Sequence, residues 1–222
     1  MKKLQILLIS MLLVFSCISF AWAGDTAVKL SPPQIDIGLS FKGTQLTVSG
    51  QAPQGSDIFV KLASPDDSVL DLSKKGKVGI FWMNVENTTV TRVPKLYQIA
   101  SSASIKDLPA ALQDQMAVYT DFRNIYNNAV VEKHGDGNNT ELTGANAGKY
   151  ISTLISIYKK SGLYSVGEKA VKVNGNNFVT TFKLPPNIPQ EKCQVTVYAV
   201  KDGKIIINDA KPLNVNSVGV VN

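Results

Sequence analysis

Two stretches of strict alternation enclose a stretch with helical spacing, and that order limits the architectures open to this chain. Near the start, Ile35, Ile37, Leu39 and Phe41 alternate with small or polar residues. A period of two sends successive side chains to opposite faces, so such a run predicts a half-buried strand. "QLTVSG" repeats the pattern through Leu46 and Val48, and "DIFVKLAS" through Ile58, Val60 and Leu62. "SVLDLSKKGK" extends it with Val69 and a turn at Gly76, and "VGIFWMN" completes the series. Runs this short and this closely spaced predict an antiparallel sandwich or barrel.

From Asp107 the spacing changes. Leu108, Leu112, Met116, Tyr119, Phe122, Tyr126 and Ala129 recur at three and four residues, which predicts one helix ending near Gly135. Asp107 can cap it, and Pro109 sits in a first turn, where proline is tolerated. A second helix is predicted over 147–161, with Tyr150, Leu154 and Ile157 on one face and Gly162 closing it. Strands return in "NNFVTTFKL", "CQVTVYAV", "KIIIN" and "KPLNVN", with Asp202-Gly203 as a hairpin turn. The last strands alone would form a small sheet without a partner layer. The expectation is therefore mainly β: an immunoglobulin-like antiparallel β-sandwich interrupted by two α-helices, one domain over 24–222 with its helical insertion at about 105–162.

The N-terminus reads MKKLQILLISMLLVFSCISFAWAGDTA. Lys2 and Lys3 precede an uncharged apolar run, and Ala21-Trp22-Ala23 supplies a small-x-small cleavage site. This predicts a signal peptide over 1–23 and export to the periplasm. An uncleaved anchor is the competing reading, because the run approaches the roughly 18 residues that a span needs. A lipid-modified Cys17 fits less well, since Phe15 and Ser16 are a poor approach to such a site. Cleavage removes Cys17, leaving Cys193 with no partner for an intrachain disulfide. Cys193 opens the alternation Cys193, Val195, Val197, Ala199 and is expected in the core. Cleavage also lowers the formal charge of +6 by two, and the remaining lysines are scattered, which argues against a nucleic-acid partner.

Little in the chain points to catalysis. The single histidine, His134, is expected at a helix end, where it would meet free carbonyls. One histidine and one buried cysteine do not make a zinc site. Asp136-Gly137-Asn138-Asn139-Thr140 resembles a calcium loop, but Glu141 replaces the needed glycine and Ala147 the bidentate acid. Asp66-Asp67 reads as a pair of solvated loop acids. The expectation is a chain with no catalytic residues, no metal and no cofactor.

The stretch that carries most of the binding chemistry is "KKGKVGIFWMN". Lys74, Lys75 and Lys77 precede aromatic residues, and Arg92 and Lys95 approach from "TTVTRVPKLYQIASS". Cations beside aromatic rings can hold an anionic ligand or a loop of a membrane protein. The candidate binding residues are Lys74, Lys75, Lys77, Trp82, Asn84, Arg92 and Tyr97. The competing reading is a lysine-rich turn leading into a core strand.

In order and spacing, "GTQLTVSG", "DIFVKLASP", "KKGKVGIFWMN" and "VPKLYQIASS" resemble a bacterial family of transmembrane proteins, Alph_Pro_TM. The matching positions are Lys77, Gly79, Trp82 and Asn84, then Val93, Pro94, Tyr97, Ser101 and Ser102. The likeness spans about residues 31 to 216, including a late "FKLPPNIP" and "PLNV". It brings no catalytic residue. It implies an accessory role beside an envelope membrane protein, such as a sulfite-exporter-type permease. The alternative is a soluble periplasmic binding protein for a small anion, held near Lys77 and Arg92. Family members usually continue into a membrane-spanning helix, whereas "SVGVVN" contains no long apolar run. Export is the expectation, and membrane attachment stays open between a soluble and a truncated form.

Overall fold

The computed structural model describes residues 28–78, 81–135 and 138–219. The side chains of 78–85 and the expected signal segment 1–23 lie outside the described residues. Strands β1 (Lys29–Ser31), β2 (Gln34–Ile37), β3 (Thr44–Gln51), β4 (Asp57–Ala63), β5 (Leu70–Val78), β6 (Phe81–Thr91) and β7 (Tyr97–Ser101) come first. A 3-10 turn at Ile105–Asp107 leads to helices α1 (Ala110–Met116) and α2 (Arg123–Asn128). Strands β8 (Val130–His134) and β9 (Asn139–Leu142) precede helix α3 (Gly144–Lys160). The chain closes with β10 (Tyr164–Gly167), β11 (Lys172–Asn174), β12 (Asn177–Leu184), β13 (Lys192–Lys201) and β14 (Lys204–Ser217).

These strands form three sheets, ordered β1-β3-β12-β11, β10-β7-β4-β13-β14-β2 and β5-β6-β8-β9. The first two make a β-sandwich, and the helices belong to an insertion between its strands, so the molecule is mainly β with a helical insertion. Leu46, Val48, Phe178, Phe182 and Leu184 are buried on one sheet. Ile58, Val60 and Leu62 of β4, in register with Ala199, Val197 and Val195 of β13, are buried on the other. Between the layers Gln98 Nε2 donates to Lys183 O at 3.1 Å and to Gly162 O at 2.7 Å. The opposite face of β4 and β7 is also covered. Phe59, Tyr97 and Ile99 are buried there, and Phe122 of the insertion packs edge-on to Tyr97 at 6.1 Å. With both faces covered, β7 is buried at every position, and alternation disappears.

Several expectations about the elements give way to the structure. The pairing is not wholly antiparallel: β10 runs parallel to β7, and β2 parallel to β14. Both parallel strands are reached by long crossovers, as parallel pairing requires. The single helix expected from Asp107 to Gly135 is instead the 3-10 turn, α1, α2 and a strand. Ala117 (φ 49°) and Phe122 (φ 58°) adopt left-handed backbone that no helix can pass through. His134 therefore lies on β8, not at a helix end, and Gly135 turns the β8–β9 hairpin by donating to Asn138 O at 3.1 Å. The first strand stops at Ile37, leaving Leu39 fully exposed, and Leu70 rather than Val69 turns inward. The second helix and the Asp202-Gly203 turn lie where the sequence puts them, with both turn residues at positive φ (50° and 70°). "KIIIN" and "KPLNVN" are halves of one strand, β14.

Candidate functional site

The basic stretch lies on a hairpin arm. β5 does not turn at Gly76 but continues through it, pairing Lys74 with Glu86, Lys75 with Asn84, Gly76 with Met83 and Lys77 with Trp82. The register slips between Lys74 and Lys75, so Val85 is the extra residue of a β-bulge. Gly79 and Ile80 lie outside the described residues, as do the side chains of Trp82 and Asn84. Lys74, Lys75 and Lys77 are exposed. No acid stands between Ser73 and Val85 in the sequence, and Glu86 is held by Lys133 at 3.3 Å. Among the described residues, the three lysines thus have no carboxylate partner. The arm also extends past its sheet. β8 pairs with β6 only from Asn87 to Thr91, so from Phe81 to Glu86 the second edge of β6 has no strand partner among the described residues.

Arg92 and Tyr97 belong to a different place. Arg92 follows the inner end of β6 with left-handed backbone (φ 59°). From Trp82 to Arg92 the strand covers roughly 30 Å at about 3.3 Å per residue. The fold therefore separates Lys77 from Arg92 and does not form one concave site from them. Tyr97 is buried, its hydroxyl donating to Ala117 O, and burial pushes its phenol well above the ordinary range. The rest of the V-P-x-x-Y-x-x-x-S-S element is equally occupied within the fold. Pro94 O accepts from the Tyr164 hydroxyl at 2.5 Å, Ser101 Oγ donates to Ala103 O at 2.6 Å, and Ser102 Oγ accepts from Ile58 N at 2.8 Å.

Two groups of residues escaped the sequence reading. The first is a cleft on the helix-covered side of the six-stranded sheet, centred on Lys61. One lobe, about 450 Å³, is lined by Lys61, Ser64, Pro65, Lys192, Gln194 and Pro212 among others. A second, about 310 Å³, shares Lys61, Ser64, Pro65 and Gln194 and adds Arg92, Asp66 and Asn124. Lys61 Nζ donates to Met116 O at 2.6 Å and lies 5.6 Å from the centre of the Tyr198 ring. Its burial lowers the ammonium pKa. The only sequence cue was a lysine between Phe59 and Ala63, on the face of β4 assigned to solvent.

The second group crosses the third sheet. Thr89 Oγ1 donates to Asp71 Oδ1 at 3.2 Å and contacts His134 Nε2, while His134 Nδ1 lies 3.0 Å from Asn139 Oδ1. One residue from each of β5, β6, β8 and β9 is tied in turn. The chain of bonds ties the four strands of the third sheet to one another. Cys193 is buried, and desolvation pushes its thiol up to about 12, the condition of an inert thiol.

Among the described residues no helix is long and apolar enough to cross a membrane. No curated protein and no solved structure matches the chain. A family model does: "Putative transmembrane protein (Alph_Pro_TM)" matches residues 26–222, nearly the whole chain, carrying the hairpin arm and the Tyr97 element with it. The chain belongs to the Alph_Pro_TM family.

Proposed function

We propose that this protein is an exported, non-enzymatic accessory module of the bacterial cell envelope, one immunoglobulin-like domain acting in the periplasm after cleavage at Ala23. Its hairpin arm docks on an envelope membrane protein, with a sulfite-exporter-type permease as the transporter in view. The observation that carries this reading is the arm itself: three exposed lysines that, among the described residues, have no acidic partner, beside a strand edge over Phe81–Glu86 that has no strand partner there. An acidic, extended segment of a partner could add to that edge, its backbone supplying hydrogen bonds and its carboxylates meeting the lysines. The first strand changes sheets between β1 and β2, and β2 runs beside the last strand; both features support the immunoglobulin-like reading.

A photo-reactive residue at Lys75, introduced in cells and followed by mass spectrometry, tests the docking. Recovery of one membrane transporter, lost when Lys74, Lys75 and Lys77 are changed together to glutamate, is the expected result. An exported, well-expressed protein that crosslinks to no membrane protein would overturn it. The second reading, a binding protein for a small anion, cannot draw on Lys77 and Arg92 together, because β6 holds them far apart.

A further inference from the structure

We infer that the cleft around Lys61 binds an organic carboxylate, with the acid head at Lys61 and Lys192 and the apolar body against Pro65 and Pro212. The site is separate from the hairpin arm and stands or falls independently of it.

The Lys61 ammonium has hydrogen-bonding capacity that the fold does not use. Lys61 is half-buried, and among the described residues no carboxylate pairs with it. Its hydrogen-bond acceptor there is Met116 O, the last carbonyl of α1. A lysine at a helix C-terminus is a favourable cap. That duty occupies one of three N–H donors, and a withdrawn charge remains costly while it lacks an opposite charge. The Tyr198 ring offers partial compensation by cation–π attraction.

The surroundings match an anion with an apolar portion. In the larger lobe, Lys192 brings a second cation, and Thr196 and Gln194 project from β13 onto the same sheet face as Lys61. Among the described residues no acid lines this lobe, whereas the smaller one is lined by Asp66 as well as Arg92. The carboxylate head is therefore assigned to the larger lobe. Ala63, Pro65 and Pro212 supply apolar walls with few rotatable bonds to order on binding. A volume of about 450 Å³ falls within the roughly 300–1,000 Å³ typical of small-molecule sites. A bare inorganic oxyanion would leave those walls uncovered.

The test uses the full exported protein at fixed ionic strength, with sodium hexanoate and sodium sulfate as probes and sodium chloride as the reference. Two-dimensional amide NMR follows residues 61–64 and 192–196 during titration. Hexanoate is expected to give saturable shifts confined to these segments. The affinity should weaken at least tenfold in Lys61→Met and less in Lys192→Met. Saturable sulfate binding of equal or greater affinity would overturn the assignment of an organic ligand. Shifts that do not saturate, that scatter over the surface, or that persist unchanged in Lys61→Met would overturn the site. Should Lys61→Met fail to fold, the Lys192→Met titration and the wild-type shift map still decide, since a site elsewhere would leave both segments unmoved.

Discussion

The side-chain amide of Gln98 donates to the carbonyl of Lys183 across the gap between the two sandwich sheets, 3.1 Å away. The same nitrogen donates to Gly162, just past the end of α3, so one buried side chain ties both sheets to the insertion. Gln98→Leu would leave two carbonyls without this donor and is expected to lower stability by about 2 kcal/mol. Urea unfolding measures it, and a midpoint equal to wild type would show that the bonds are replaced by water.

Tyr164 stands at the centre of an aromatic group, stacked on Phe122 at 5.6 Å and edge-on to Tyr158 at 5.1 Å, with its hydroxyl on Pro94 O. Tyr164→Phe removes only the hydrogen bond and is expected to cost about 1–2 kcal/mol. Tyr164→Ala also opens a cavity and is expected to cost about 3–5 kcal/mol. Comparing the two variants by urea unfolding separates the hydroxyl's share from the ring's.

Thr88 points inward from β6 and is almost wholly buried, yet its hydroxyl has no hydrogen-bond partner among the described residues. Valine has nearly the same shape and no polar atom to desolvate. Thr88→Val is expected to stabilise the protein by about 1 kcal/mol. A higher melting temperature with an unchanged circular dichroism spectrum is the supporting result, and a lower one would refute it.

Alkaline pH should unfold the protein ahead of general chemical damage. Burial raises the folded pKa of Cys193 from 9.0 to about 12, and those of Tyr97 and Tyr164 upward from 10.0. Above pH about 9, the unfolded chain loses these protons while the folded chain retains them. The unfolded state then binds fewer protons, so stability falls as pH rises. Denaturant midpoints at pH values from about 8 to 11 should decline steadily; a flat profile would mean that these groups are not withdrawn from water. In the same series native Cys193 should resist iodoacetamide at pH about 8 and react once unfolded.

What could be read from the sequence follows from how many faces a strand exposes. Leu46 and Val48 alternate with half-exposed residues, so their inward side is plain without coordinates. Cys193, Val195, Val197 and Ala199 also lie inward, but β13 buries Thr196, Tyr198 and Val200 on its other face. β4 likewise buries Phe59 on its second face, and the withdrawal of Lys61, which reaches Met116 O of the insertion from that face, is the consequence that period-two reading hides. The long helix expected from Asp107 failed for a related reason. Leu112, Met116 and Phe122 are buried as expected, but the packing that buries them breaks the backbone at Ala117 and Phe122. Of the candidate site, the exposure of the three lysines was legible. That β6 holds Arg92 some 30 Å from Lys77 was not, because the distance depends on β5 continuing through Gly76 instead of turning there.

The parallel pair of β2 and β14 has a mechanical meaning. Residues 34–37 lie beside residues 214–217, and the two strands point the same way. A pull on the chain before Gln34, opposed by a pull after Ser217, would draw the strands past one another lengthwise. All four paired positions would then bear the load together instead of opening one after another. Once β1 has parted from β3, tension between the two ends of the fold would load β2 and β14 as a shear clamp.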